Sequence, residues 1–486
     1  MEKVPAKQKD VNTAAERYQG ARRSHWDAVA RKMDHWTSWG AYYHQRLIRV
    51  YQFLIAPNQR VIELGCSTGD LLAELKPALG VGIDFSGEMV KRAAERYPNL
   101  HFIQCDAHDI GLCEKFDVIV ISDLINDLWD VQAVFKQIAC LATTRTQIIL
   151  NTYSRLWELP LALAQRLGLA RQLLPQNWLT VEDLSGLMDL ADFDVIRHWG
   201  EILWPLYTPL LSGFFNRFMA KLWPFHYCNL THFIVARPRP MYRQMLKEPL
   251  VSVIVPARNE AGNIPQILER TPEMGRGTEL VFVEGNSNDN TYAIIEKAIA
   301  DHPKRRCRLM QQNGVGKGDA VKRGFAHARG DMLMILDADL TVSPEDLPLF
   351  YDVLRSGKGE FANGVRLVYP MEKQAMRYVN FLGNKFFSLA FSWLLGQPIK
   401  DTLCGTKVLW KTDYERIARN RVYFGDFDPF GDFDLLFGAA KLNLKIVEIP
   451  IRYGERMYGR TNIQRWKHGW LLLRMVLFAS RRIKFI

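Results

Sequence analysis

The sequence is first informative for what it lacks. No run of eighteen apolar residues occurs in the 486-residue chain, so no segment reads as a membrane span. The two longest candidates are interrupted: Leu203–Trp223 by Pro205, Pro209, Asn216 and Arg217, and Trp470–Ser480 by Arg474. The opening MEKVPAKQKDVNTAAERYQG has no apolar centre, which argues against a secretory leader. The 7 cysteines are an odd number, scattered, with no C-x-x-C pair. That speaks against a disulfide framework and a structural zinc site, and for reduced thiols in the cytoplasm. No nucleic-acid recognition module is visible, so nucleic acid is not an expected partner. The halves share no motif, which excludes an internal duplication.

What is present is basic and long. The formal net charge of +11 favours phosphates or an acidic lipid surface as partners. A chain of 486 residues exceeds what one core holds, and two or three domains are expected. Residues 1–60 read as helices from aromatic and aliphatic residues at helical spacing. A strand, Val61–Leu64, then runs into the small-residue turn Gly65-Cys66-Ser67-Thr68-Gly69 and a helix starting at LLAEL. Glycines there permit a tight turn and close approach of backbone to a ligand. VGIDFSGEMV is a second strand ending at Asp84, with Ser86 at the cap of the next helix. A third strand, His101–Gln104, precedes Asp106-Ala107, and a fourth runs from Val118 to Ile121. Strand and helix alternate, so a parallel sheet is expected, with its ligand at the carboxyl ends of the strands.

These residues resemble the class I S-adenosylmethionine-dependent methyltransferases, over about residues 55–155, with terminal strands near Phe193–Arg197 and Thr231–Ala236. The resemblance implies a Rossmann-like sheet over residues 1–240. It places Glu63, Gly65 and Gly69 around the methionine part of the cofactor, Asp84 on the ribose, and Asp106 and Ala107 by the adenine. The loop lacks the G-x-G-x-x-G order of a dinucleotide site. The methyl acceptor is not legible. Candidate pocket residues are His25, Trp26, Tyr43, Asn126, Asp127 and Tyr153. An apolar insertion near 201–228, rich in Leu, Phe and Trp, reads either as core or domain interface or as a membrane-contact element.

A charged, proline-bounded linker at 241–249 leads to a new strand at Val251. VSVIVPARNE ends a strand at Pro256, and ELVFVEGNSNDNT ends another at Glu284 before a polar turn. NGVGKGDAVKRG sets glycines around Lys317, the mixture of backbone N–H and fixed positive charge that phosphate requires, though without the Ser or Thr of a Walker A loop. DMLMILDADLTV ends an apolar strand in Asp337-Ala338-Asp339. Two carboxylates two residues apart at a strand end can hold a divalent cation against a diphosphate.

In this order the segments resemble the inverting family 2 glycosyltransferases of GT-A type, the family that includes dolichol-phosphate mannose synthase and polyprenyl-phosphate glycosyltransferases. The likeness spans most of 250–465. It implies that Pro256, Ala257, Glu260 and Glu284 surround the nucleotide. Lys317, Asp337 and Arg456 meet the diphosphate, and Asp337 and Asp339 take Mg²⁺ or Mn²⁺. Asp432 or Asp434 falls near the acceptor, and Arg366 and Arg377 fall where relatives bind an acceptor phosphate. Asp401, Cys404, Gly405 and Thr406 parallel a D-x-x-S-G segment with cysteine for serine. Arg456, Gly459, Thr461 and Asn462 parallel an R-x-x-G-x-S-K segment with asparagine for its lysine.

The expectation is an α/β protein of two domains and two activities. One transfers a sugar from a UDP- or GDP-sugar to a polyprenyl phosphate, or alternatively extends a polysaccharide. The other methylates a related intermediate with S-adenosylmethionine. A scaffold with one degenerate half is opposed by the intact Asp84, Asp337 and Asp339. The tail, 466–486, reads as a basic amphipathic helix suited to peripheral contact with the cytoplasmic face of a membrane.

Overall fold

The computed structural model describes residues 6–32, 39–168, 172–239, 248–366, 378–419, 432–454, 456, 458 and 465–485. The chain forms two compact units, one of Met1–Arg239 with Phe485–Ile486, the other of Pro240–Lys484.

The first unit opens with helices α1 (Ala6–Lys32) and α2 (Trp39–Leu54). Its strands are β1 (Arg60–Leu64), β2 (Leu79–Asp84), β3 (His101–Gln104), β4 (Val118–Ser122), β5 (Gln147–Tyr153), β6 (Phe193–Glu201) and β7 (Thr231–Pro238). They form one sheet in the order β3-β2-β1-β4-β5-β7-β6. The first five strands in that order run parallel, and β7 lies antiparallel to both β5 and β6. The central strands are covered on both faces, which is why RVIEL and VIVIS read as unbroken apolar runs rather than alternating ones. Ile62, Ile119 and Ile148 face one core, and Val61, Val118 and Ile149 face the other, which includes Tyr51 and Leu47 of α2. Each side chain so buried contributes about 1.5–3 kcal/mol. Chain order reverses beside β1: the chain moves outward through β2 and β3, then returns to β4 on the other side. That switch point leaves a crevice above β1 and β4, where such sheets hold ligands. The apolar insertion holds a short helix, Leu211–Arg217, and leaves Tyr207, Leu210, Phe214, Trp223 and Tyr227 exposed.

The second unit contains β8 (Val251–Ala257), β9 (Thr278–Glu284), β10 (Arg306–Gln311), β11 (Met332–Ile335), β12 (Phe361–Val365), β13 (Lys407–Trp410) and β14 (Ile446–Pro450). The sheet order is β10-β9-β8-β11-β13-β12-β14. The run β10 to β11 is parallel, β13 is antiparallel to both neighbours, and β14 is parallel to β12. Val253, Val255, Phe282, Met334 and Leu336 make its core. Both halves therefore have the expected α/β architecture, a Rossmann-like methyltransferase fold and then a GT-A-like fold. A helix spans Arg465–Ala479 in the tail.

Candidate functional sites

In the first unit β1 enters a turn fixed by the Gly65 and Cys66 N–H groups, both donating to the Ile83 carbonyl of β2. Gly65 (φ +71°) and Gly69 (φ +78°) occupy the left-handed region, where a side chain would be strained. A Cβ on Gly65 would also stand 3.0 Å from the Leu124 side chain. The crevice above this turn is lined by Gly65, Asp84, Asp106, Ala107, Leu124 and Asp127, with Tyr18 and Arg22 of α1 and Trp129 as its cover, and encloses about 450 Å³ including its open mouth. Asp84, at the end of β2, accepts from Ser86 N on one oxygen and from Ser67 N on the other, each at 2.9 Å. Burial pushes its carboxyl up to about 6, against those two N–H groups. Asp106 is also partly buried, but hydrogen bonds from His108, through its backbone N–H and its ring, outweigh that and hold the carboxyl below its usual range.

Four of the six expected cofactor residues thus line one cavity. Glu63 and Gly69 do not. Glu63 is buried within β1, 3% exposed, and burial raises its carboxyl well above normal. Gly69 packs under Phe102, at the start of the helix Asp70–Glu74. The expected acceptor candidates divide as well. Asn126 is a structural residue: its Nδ2 donates to the Asn177 carbonyl and its Oδ1 accepts from the Thr152 hydroxyl and from Tyr153 N. Asp127 pairs with Arg22 at 3.6 Å, and Arg22 lies over the Tyr18 ring. Tyr43 and Tyr153 stand with ring centroids 6.0 Å apart. His25 and Trp26 of α1 face Asp127. Sequence reading missed Tyr18, Arg22 and Trp129, because a covering helix carries no motif. It also missed Asp123, which a strand-end rule would have found directly after β4.

In the second unit three adjacent parallel strands, β9, β8 and β11, deliver their ends to one place. Glu284 closes β9, is 1% exposed, and accepts from Ser287 N at 2.6 Å. Pro256 and Ala257 close β8, and the Ala257 carbonyl takes the Gly285 N–H. Glu260 follows, and burial pushes its carboxyl up to about 7 although Arg456 lies beside it. Arg456 bridges two strand ends, reaching Glu260 Oε1 at 3.1 Å and Asp339 Oδ2 at 2.8 Å. Asp339 is largely buried, yet Arg456 and the hydroxyl and N–H of Thr341 hold its carboxyl below the usual range. Lys317, first residue of the helix Lys317–His327, contacts Asp337 Oδ1 at 2.7 Å. Gly405 closes over that pair: a Cβ there would collide with the Asp337 carboxylate and the Lys317 ammonium. The site is thus three carboxylates and two cations, Glu260, Asp337, Asp339, Lys317 and Arg456, drawn from four separate stretches of chain.

The acceptor-side residues fare differently. Arg366 is 9% exposed and forms a two-pronged ion pair with Asp401, Nε to Oδ2 at 2.7 Å and an outer nitrogen to Oδ1 at 2.9 Å. Burial opposes its charge, but Asp401 more than offsets this and raises its affinity for the proton. Nε and one outer nitrogen of this guanidinium are thus already engaged by a carboxylate. Asp434 is buried. Asp432 begins a helix, but its side chain lies outside the described residues, as do Arg377, Gly459, Thr461, Asn462 and residues 241–247 of the linker.

Fold and site together define two α/β domains in one chain, each with a cluster of polar residues at the ends of its parallel strands. Residues 55–186 match the family described as methyltransferase domain, and residues 252–418 match glycosyl transferase family 2. Over 139 residues the chain is 33% identical to the undecaprenyl-phosphate 4-deoxy-4-formamido-L-arabinose transferase of Shewanella sediminis, covering 28% of this chain and 41% of that one. Over 245 residues it is 27% identical to the dolichol-phosphate mannosyltransferase of Pyrococcus furiosus, covering 48% and 67% respectively. It therefore spans about two fifths of the first relative's length. The magnesium protoporphyrin IX methyltransferase of Synechocystis PCC 6803, solved with bound SAH, is 18% identical at a TM-score of 0.28, covering 49% of this chain and 89% of that one, a likeness too slight to argue from. The chain thus joins a methyltransferase-like domain to a domain similar to the family 2 glycosyltransferases, with relatives among the dolichyl- and undecaprenyl-phosphate sugar transferases.

Proposed function

We propose that the chain is a bifunctional transferase. Its C-terminal half moves a sugar, with inversion, from a UDP- or GDP-sugar to a polyprenyl phosphate. Its N-terminal half methylates the product or a related glycan with S-adenosylmethionine. The observation that carries the first activity is the meeting of Glu260, Asp337, Asp339, Lys317 and Arg456 at adjoining strand ends. Hard carboxylate oxygens suit Mg²⁺ or Mn²⁺. Among the described residues no group of three or more His, Cys, Asp or Glu forms a metal cage. Asp337 and Asp339 are the residues that would hold such an ion. The ion would supply neutralisation of charge on the departing diphosphate.

Lys317 and Arg456 now offset the carboxylates; with donor bound they are placed to bind diphosphate oxygens instead. Glu284 and the Pro256–Ala257 end of β8 hold the nucleoside. A phosphate acceptor is already anionic and attacks the anomeric carbon without a base, whereas a hydroxyl acceptor needs Asp434 or Asp432. The tie between Arg366 and Asp401 favours a second reading, extension of a polysaccharide with O-methylation, since it removes one expected phosphate clamp. For the methyltransferase half, Gly65, Asp84, Asp106 and Ala107 would hold the cofactor. The carboxylate at the end of β2 has lone pairs for ribose hydroxyls beyond the two N–H groups it already accepts. Among the described residues no helix is long and apolar enough to cross a membrane, and the exposed aromatic insertion and the basic tail fit peripheral contact on the cytoplasmic face.

The test is a panel of UDP- and GDP-sugars with Mn²⁺, with and without a short polyprenyl phosphate. Transfer to the lipid that falls at least about 100-fold in Asp339→Asn is expected. Transfer only to oligosaccharides would establish the second reading, and transfer undiminished in Asp339→Asn would sink the site assignment.

A further inference from the structure

Strand β4 ends at Ser122, and the chain turns at Asp123, whose φ of +53° lies in the left-handed region. The next residue, Leu124, lines the cofactor cavity and stands against Gly65. Asp123 therefore sits one residue from that cavity, at the end of the strand beside β1. Two donors hold one oxygen of its carboxyl. Tyr43 of α2 donates its hydroxyl to Oδ1 at 2.9 Å, and Asn151 of β5 donates Nδ2 to the same oxygen at 2.5 Å. The Asn151 Oδ1 in turn accepts from the Tyr51 hydroxyl at 2.8 Å and from the Ser122 hydroxyl at 3.0 Å. Oδ2 of Asp123 makes no hydrogen bond among the described residues. A carboxyl costs more to bury than an amide or a hydroxyl, and packing alone gives no reason for one here.

We propose that Asp123 accepts the proton of the methyl acceptor, and that the acceptor group is a hydroxyl lying by Tyr43 and Tyr153 next to the cofactor cavity. This rests on the reading of residues 55–186 as an S-adenosylmethionine site. The acceptor oxygen gives a lone pair to the methyl carbon while the carbon–sulfur bond of the sulfonium breaks, its electron pair remaining on sulfur. The hydroxyl proton passes to Asp123 Oδ2. A sulfonium and a carboxylate thus become a thioether and a carboxylic acid, and two opposite charges vanish together. A phosphate or carboxylate acceptor would need no base and would be repelled by Asp123, so the residue selects against anions.

The surroundings suit the role. Burial pushes the Asp123 carboxyl up to about 7, with Asp127 raising it further and the Tyr43 and Asn151 hydrogen bonds opposing. Tyr43, Tyr51 and Tyr153 face it from α2 and β5, all with phenols raised well above normal by burial, and so all neutral. Asp127 is itself faced by Arg22 and His25 of α1. A base tuned near the working pH is the most effective one.

The full chain would be assayed with tritiated S-adenosylmethionine against methyl glucoside, methyl mannoside and the corresponding methyl aminoglycoside, beside calorimetric binding of S-adenosylhomocysteine. Asp123→Asn is expected to bind S-adenosylhomocysteine within about twofold of the parent. It should lose about 10²–10⁴-fold in kcat on the hydroxyl probes at unchanged KM, together with the acid limb of the pH–rate profile. Asp123→Glu should recover part of the rate. Methylation of the amino group alone, indifferent to Asp123→Asn, overturns the proposal. A parent chain that does not bind S-adenosylhomocysteine overturns the methyltransferase reading itself, a separate failure. Should no glycoside be methylated, carboxyl NMR of aspartate-labelled chain with S-adenosylhomocysteine bound decides. A resonance titrating near neutrality and missing from Asp123→Asn supports the assignment; one titrating below about 5 refutes it.

Discussion

Replacing Arg366 by methionine separates two roles for the same arginine. The Asp401 carboxylate is 0% exposed and accepts Nε at 2.7 Å, an outer guanidinium nitrogen at 2.9 Å, Arg366 N at 3.1 Å and Leu403 N at 3.0 Å. Methionine keeps most of the bulk and removes the charge, so a buried carboxylate keeps its backbone donors and loses its counter-ion. Breaking one side of a buried pair costs about 3–5 kcal/mol. A domain of this size shifts about 2–4 °C per kcal/mol, so its melting transition should fall on the order of 10 °C. The assay is scanning calorimetry, with the glycosyltransferase transition identified by its upward shift with nucleoside diphosphate and Mn²⁺. Lysine at 366 should recover only part, since it lacks the planar fork. The double change Arg366→Met with Asp401→Leu should recover most of the loss, because an apolar pair of similar volume carries no stranded charge. The reasoning is refuted if Arg366→Met melts within about 1 kcal/mol of the parent while its KM for polyprenyl phosphate rises, which would make the arginine a clamp after all.

Three further outcomes follow from the same geometry. Asp84→Asn should weaken S-adenosylhomocysteine about 10- to 150-fold by calorimetry, the equivalent of about 1.5–3 kcal/mol for hydrogen bonds to a charged group. Gly405→Ala should leave the fold near its parental melting point but weaken the NDP-sugar, measured as a rise in donor KM, because its methyl displaces the Lys317–Asp337 pair. The pH dependence is signed. The Asp84 and Asp123 carboxyls are raised to about 6 and about 7, so between about pH 4 and pH 7 the folded chain binds more protons than the unfolded one. Their contribution to stability is full below about pH 4 and is lost as pH rises toward 7. The melting difference between Asp123→Asn and the parent should therefore move in favour of the variant from pH 5 to pH 8, and a difference that moves the other way contradicts the buried carboxyl.

Much of both sites was legible because it is local. A strand, a glycine turn and a helix occupy consecutive residues, so Gly65, Asp84, Asp106 and the Asp337-Ala338-Asp339 pair could be placed from strand-end logic alone. Glu63 belongs to the strand rather than to the turn, and it is buried there. Arg366 suits a phosphate by type, and nothing nearby in sequence announces Asp401, thirty-five residues on, as its partner.

The sequence by itself determined the two α/β sheets, the order of their strands' roles and the chemistry available at each strand end, since these depend on short-range pattern and turn chemistry. Tertiary structure decided which side chains are spent on one another. It closed α1 over the cavity with Tyr18 and Arg22, joined Arg456 to Glu260 and Asp339 across 196 and 117 residues of chain, and brought Tyr43 and Asn151 to a single oxygen of Asp123. Such meetings depend on where helices and distant strands pack against the sheet, and no local pattern encodes that distance.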